Sequence, residues 1–163
     1  MPRLRQWGAA WTSERASVQS LREHAGQADV IHLACHAQFR ADNPRFSALH
    51  LHDGLLTVDL AETLALGPCT VVLGACETGL AELGVGDETV GLVRAFLVAG
   101  AARVVASLWP VDDALTAVFM SQFYGALSAG QAPSAALRQA QDQVRRSHPH
   151  PHFWGAFVLH GGF

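Results

Sequence analysis

Cys76 and His36 are the two side chains of this sequence whose chemistry and placement together could break an acyl bond. A thiol is a poor nucleophile until it loses its proton; an imidazole beside it can take that proton, hold the thiolate, and later protonate a leaving amine. Such a pair needs both groups on rigid roots facing one crevice. Each of the two follows a short apolar run rich in β-branched residues, Val30-Ile31-His32-Leu33-Ala34 before His36 and Cys69-Thr70-Val71-Val72-Leu73 before Cys76. These runs read as buried strands, and in an open parallel sheet ligands gather outside the carboxyl ends of the strands. Gly74, Ala75 and Gly79 leave room for a peptide backbone beside the sulfur, and a free N–H there can serve an oxyanion. The competing reading makes Cys76 a small buried hydrophobe and His36 a hydrogen-bonded structural residue. Cys35 and Cys69 are core candidates, and strand alternation points Cys35 to the face opposite His36.

The elements that must position these groups follow from apolar periodicity and punctuation. Thr12 or Ser13 caps a helix through about His24, with Gly26 closing it. Ala48 to His52 and Leu55 to Val58 flank Asp53-Gly54 as a β-hairpin. Asp59 is expected to cap a short helix ending at Gly67-Pro68. A Gly-rich acidic loop leads to a helix from about Thr89 to Val98, then a strand from Arg103 to Ser107. Leu108 to Asp113 forms another strand-to-helix junction before a helix from about Ala114 to Ser128. A further helix, capped by Ser134, runs to about Ser147, where the prolines of His148-Pro149-His150-Pro151-His152 end it. A last strand spans about Phe157 to His160. Buried strands alternating with helices predict an α/β fold with a mostly parallel sheet, helices on both faces, and the β-hairpin added. No repeat or linker divides the chain, so one domain over residues 1–163 is expected.

Composition narrows the function classes. Of 163 residues, half are apolar and 15 % are charged, which suits a packed domain and excludes a low-complexity chain. The longest apolar stretches, such as Leu97 to Ala102, break well before the roughly 18 residues of a membrane span, so no membrane partner is expected. A net charge of −3 offers no basic stripe, which argues against nucleic acid. Met1 to Arg5 begins like a basic leader, but no apolar stretch follows. Three cysteines at spacings that match no disulfide or zinc framework suit a reducing compartment, read here as the cytoplasm.

Several ordered strings carry a resemblance. Asp29-Val30-Ile31-His32-Leu33-Ala34-Cys35-His36, Leu73-Gly74-Ala75-Cys76-Glu77-Thr78-Gly79, Gly86-Asp87-Glu88, Ala106-Ser107-Leu108-Trp109-Pro110-Val111-Asp112-Asp113 and Phe153-Trp154-Gly155-Ala156-Phe157 together resemble the CHAT domain, a family of the caspase–separase group of cysteine peptidases. The resemblance implies a caspase-like three-layer sandwich, His36 as the catalytic histidine and Cys76 as the nucleophile. It implies a cysteine endopeptidase acting on a protein or peptide, with no metal or cofactor, often under the control of an attached or partner module. The oxyanion would be held by the backbone N–H groups of Cys76 and Ala37. Family members usually carry Gly where this chain has Ala37, and a positive φ there would cost Ala energy that Gly avoids. CHAT domains also have more sheet before the segment equivalent to Val30, so N-terminal strands are expected to be missing, with the chain a fragment or a shortened variant or its sheet edge completed by another subunit. The rival reading is a caspase-like interaction module that has lost catalysis.

Asp112 and Asp113 lie on a strand-end connection and so can line the same crevice. The Leu108 to Asp113 string is similar to the segment by which separases supply a carboxylate to a pocket for a basic side chain, which implies Arg or Lys before the scissile bond. Helix capping explains Asp112 or Asp113 equally well. Glu77 and Asp87 are further substrate-binding candidates, with a solvated loop carboxylate and a helix start as their respective alternatives. Gly84-x-Gly86 lacks the spacing of a dinucleotide site. His148, His150 and His152 lack the regular spacing of a preformed metal site and read as a solvated turn. His50 and His52 read as exposed on the hairpin. Trp109 and Trp154 are expected to pack the sheet ends.

Overall fold

Runs such as Thr70-Val71-Val72-Leu73 are too short for helices and too apolar for loops, and they form the middle layer of the molecule. A computed structural model describes residues 10, 12–38, 40, 43–74 and 87–162. In chain order the elements are α1 (Val18–His24), β1 (Val30–Leu33), β2 (Ala37–Gln38), β3 (Ala48–Leu51), β4 (Gly54–Thr57), α2 (Val58–Glu62), β5 (Thr70–Leu73), α3 (Asp87–Val98), β6 (Arg103–Ser107), α4 (Asp113–Ser128), α5 (Pro133–Ser147), α6 (Pro151–Trp154) and β7 (Phe157–Gly161), with 3-10 turns at Ser13–Arg15, Ala25–Gln27 and Pro44–Phe46. The main sheet has the order β1-β5-β6-β7, and a smaller sheet has the order β2-β3-β4. β1, β5 and β6 are parallel, and β7 closes antiparallel on β6. The mostly parallel α/β sandwich expected from the sequence is therefore present.

Strand alternation divides the core in two. Ile31, Leu33, Val71, Leu73, Val104 and Ala106 face one layer, where Leu21 of α1, Ala61 of α2, Phe96 of α3 and the hairpin residues Leu49 and Leu56 pack. Val72 and Val105 face the other layer, against Phe119 and Phe123 of α4 and Ala140 of α5. There the Phe119 and Phe157 rings stack with centroids 4.4 Å apart. With both faces of β5 covered, all of its residues are buried, which is why its run shows no alternation of polarity.

Several element ends differ from the sequence reading, each for a local reason. The first helix is a 3-10 turn followed by α1, because Ser17 is the cap: its Oγ accepts the Ser20 N–H at 3.0 Å. Thr57, not Asp59, caps α2, accepting the Leu60 N–H at 3.3 Å. That helix stops at Glu62, and Leu66 instead donates its N–H to the Ala99 carbonyl at 2.9 Å. The hairpin turn is His52-Asp53, since Leu51 pairs with Gly54, and Gly54 opens β4 at φ +146°, a conformation that favours glycine. Asp53 uses its carboxylate on a distant element, accepting the Val18 and Gln19 N–H groups at the start of α1 at 2.7 and 3.2 Å. α5 starts at Pro133 rather than after Ser134, the N1 position where a missing N–H costs nothing. α3 begins at Asp87, and the polar stretch after His36 contains β2, which forms because β3 offers it an edge.

Candidate active site

β1 and β5 are parallel neighbours with Leu33 opposite Leu73. The ladder continues one bond further, the Gly74 N–H donating to the Leu33 carbonyl at 3.0 Å. His36 lies three residues beyond Leu33, and Cys76 three residues beyond Leu73. Cys76 and Glu77 fall outside the described residues.

The side chain of His36 is exposed, while its backbone is fixed: its carbonyl accepts the His50 N–H at 2.8 Å. That bond marks Ala37 and Leu49 as a non-hydrogen-bonded pair of the antiparallel ladder, so the Ala37 N–H points away from β3. β2 is an outer strand of its sheet, and its ladder therefore leaves this donor unused. The Ala37 methyl is buried. Among the described residues the non-glycine with positive φ is Ser13, so Ala37 does not incur the backbone cost expected of it.

The two described cysteines are poor nucleophiles. Cys69 is buried in the core, and burial raises its pKa. Cys35 is half-buried against the same cluster, and burial pushes its thiol up to about 11. At neutral pH both stay protonated.

One histidine of this region was not singled out by sequence reasoning. His32 projects from β1 toward α4, where its Nδ1 lies 2.8 Å from the Tyr124 hydroxyl. The two rings stack at 5.6 Å with an interplanar angle of 28°. The residue keeps solvent access on its open side, yet desolvation of the ring lowers its pKa. A strand histidine among apolar neighbours was the available signal, but its partner lies 92 residues away.

A family model of the CHAT domain matches residues 3–162. The chain belongs to the CHAT domain family. Tetratricopeptide repeat protein 28 of Homo sapiens is 39% identical to it over 113 residues, 68% of this chain and 4% of that protein. The Mus musculus protein of the same name is 37% identical over 113 residues, again 68% of this chain and 5% of its own length. The chain thus spans about one twentieth of the curated relatives it matches.

In this CHAT domain Asp112 caps α4. Its Oδ1 accepts the Ala114 and Leu115 N–H groups at 2.9 and 3.1 Å, and its carbonyl accepts that of Thr116 at 2.8 Å. Asp113 is the first residue of α4 and Asp87 the first of α3, so both begin helices that follow strand ends. Trp109, on the connection after β6, is half-buried and donates its indole N–H to the His152 carbonyl at 2.9 Å; Trp154 donates to the Pro149 carbonyl at 3.1 Å. The Trp109 bond ties the His-Pro segment to the end of β6, and the Trp154 bond closes that segment on itself. His148, His150 and His152 stand edge-on around the Phe153 ring, with centroids 5.4, 6.3 and 5.5 Å away. His50 is exposed opposite Leu55, and His52 sits in the hairpin turn.

Proposed function

We propose that this CHAT domain is a cysteine endopeptidase in which Cys76 is the nucleophile and His36 the general base and acid. The observation that carries this reading is the common offset of the two residues from the Leu33–Leu73 rung, on strands held side by side by a parallel ladder. His36 takes the thiol proton as the sulfur attacks a peptide carbonyl, and the tetrahedral oxyanion is held by the backbone N–H groups of Cys76 and Ala37. Collapse of the intermediate breaks the C–N bond, and the imidazolium protonates the leaving amine. Water, activated by His36, then hydrolyses the thioester and returns the thiol. The donor that Ala37 leaves unused by the β2–β3 ladder supports its part in this scheme.

Asp112, Asp113, Glu77 and Asp87 supply negative charge around the strand-end crevice and select a basic side chain before the scissile bond. The substrate is a protein or peptide, and the domain works in the cytoplasm under the control of a further module. The human and mouse relatives support that control, since each contains the matching segment within a far longer chain.

The test is cleavage of a proteome-derived peptide library by the purified chain beside Cys76→Ala, read by mass spectrometry. Cuts that vanish in the variant, with Arg or Lys enriched before the bond, are the expected result. Identical peptide profiles for the two proteins would overturn autonomous peptidase activity and favour an interaction module.

A further inference from the structure

The imidazole of His32 is clamped from two sides. On one side is the Tyr124 hydroxyl, 2.8 Å from Nδ1, with the phenol ring stacked on the imidazole. On the other is the backbone of Gly74, so close that a Cβ built there would lie 2.6 Å from Nε2. Gly74 therefore lacks a side chain for a specific reason: the ring occupies that space. A Cβ would displace the imidazole, which cannot swing aside without giving up its hydrogen bond to Tyr124. Gly74 is also where β5 leaves the ladder, its N–H still tied to the Leu33 carbonyl, and it stands two residues before Cys76.

We propose that His32 and Tyr124 are a positioning pair that fixes the backbone at Gly74, and so the direction in which the chain departs toward Cys76. This inference rests on the peptidase reading and adds to it the means by which the thiol is presented to His36. His32 acts through Gly74 and takes no proton from the thiol, because one of its nitrogens is engaged by Tyr124 and the other abuts backbone. A ring kept neutral by desolvation suits this role, since it places no charge against the peptide group of Gly74.

The test follows carbamidomethylation of Cys76 by iodoacetamide from pH 5 to 10, by mass spectrometry, in the full chain and in His36→Ala, Tyr124→Phe, His32→Ala, Gly74→Ala and the double variant Gly74→Ala with His32→Ala. Only the thiolate reacts, so each unit by which the midpoint rises slows labelling at pH 7 on the order of tenfold. In the unaltered chain the midpoint should lie below the ordinary thiol value of about 8.5, and His36→Ala should raise it. Tyr124→Phe, which keeps the ring and removes the hydroxyl, should raise it too while the circular dichroism spectrum stays unchanged. The double variant should fail to restore the original midpoint. An unaltered midpoint in Tyr124→Phe and His32→Ala, with His36→Ala still shifted, would overturn the positioning role and leave the dyad standing. Full restoration by the double variant would also overturn it, because the ring would then be a spacer. An unaltered midpoint in His36→Ala would overturn the peptidase reading itself.

Discussion

Leu33 and Leu73 face each other on adjacent parallel strands, and one further hydrogen bond, from the Gly74 N–H to the Leu33 carbonyl, carries their ladder one residue past the end of β5. This rung ties the root of the His36 segment to the root of the Cys76 segment. In the sequence His36 and Cys76 each follow this rung by three residues.

Replacing His36 by Ala should lower peptide cleavage by about 10²–10⁴-fold, the usual loss of a general base. The imidazole is exposed and the fixed contact of the residue is its carbonyl with the His50 N–H, which Ala retains. Thermal unfolding of the variant should therefore match the parent. A large drop in melting temperature would assign His36 a packing role instead.

Labelling of the folded chain with iodoacetamide near pH 7.5 should leave Cys35 and Cys69 unmodified. Burial holds the Cys35 thiol up to about 11 and raises that of Cys69 as well. Modification of Cys35 should rise only toward its thiol value of about 11, and that of Cys69 should need a pH above the ordinary thiol range or unfolding in urea. Peptide mapping that finds label on Cys69 at neutral pH in the native chain would contradict its place in the core.

Asp112 allows capping and substrate recognition to be separated. Asp112→Ala removes the acceptor for the Ala114 and Leu115 N–H groups and should cost about 1 kcal/mol in urea unfolding. Asp112→Asn keeps an acceptor oxygen without the charge, so its stability should stay close to that of the parent. If the carboxylate also draws a basic side chain into the crevice, Asp112→Asn should show weaker selection of Arg and Lys in the peptide library. Equal selection by both proteins would confine Asp112 to capping.

Asp53 should make stability depend on pH at the acid end. Its carboxylate accepts the Val18 N–H and, more weakly, the Gln19 N–H, which lowers its pKa below the ordinary carboxylate value. The folded state thus binds this proton less readily than the unfolded chain. The stabilisation is complete above the unfolded pKa and is lost as pH falls through the lower folded value. Asp53→Ala should lower the melting temperature at pH 7, and the gap from the parent should narrow as the pH drops below about 4. A gap that does not change with pH would show that the charge is not what anchors α1.

The sequence by itself determined the strands of the main sheet and the two of the hairpin, most of the helices, and the place of His36 and Cys76 just after two apolar runs, but not β2. It did so because apolar runs and β-branched residues have a local signature: a strand buried on both faces reads as an unbroken hydrophobic run wherever it sits. Cap positions were harder to read, since Thr57 and Asp59, or Pro133 and Ser134, are competent helix starts lying close together, and tertiary contacts choose between them. What only the tertiary structure decided was which distant groups meet. That β1 lies beside β5, that Tyr124 reaches His32, that Asp53 tethers α1 and that Trp109 holds the His152 carbonyl all join residues far apart in the chain. Local propensity carries no information about such meetings. They are set by how the two faces of the main sheet and the helices bury their apolar sides together, and the pair on His32 exists because that packing brings one face of β1 under α4.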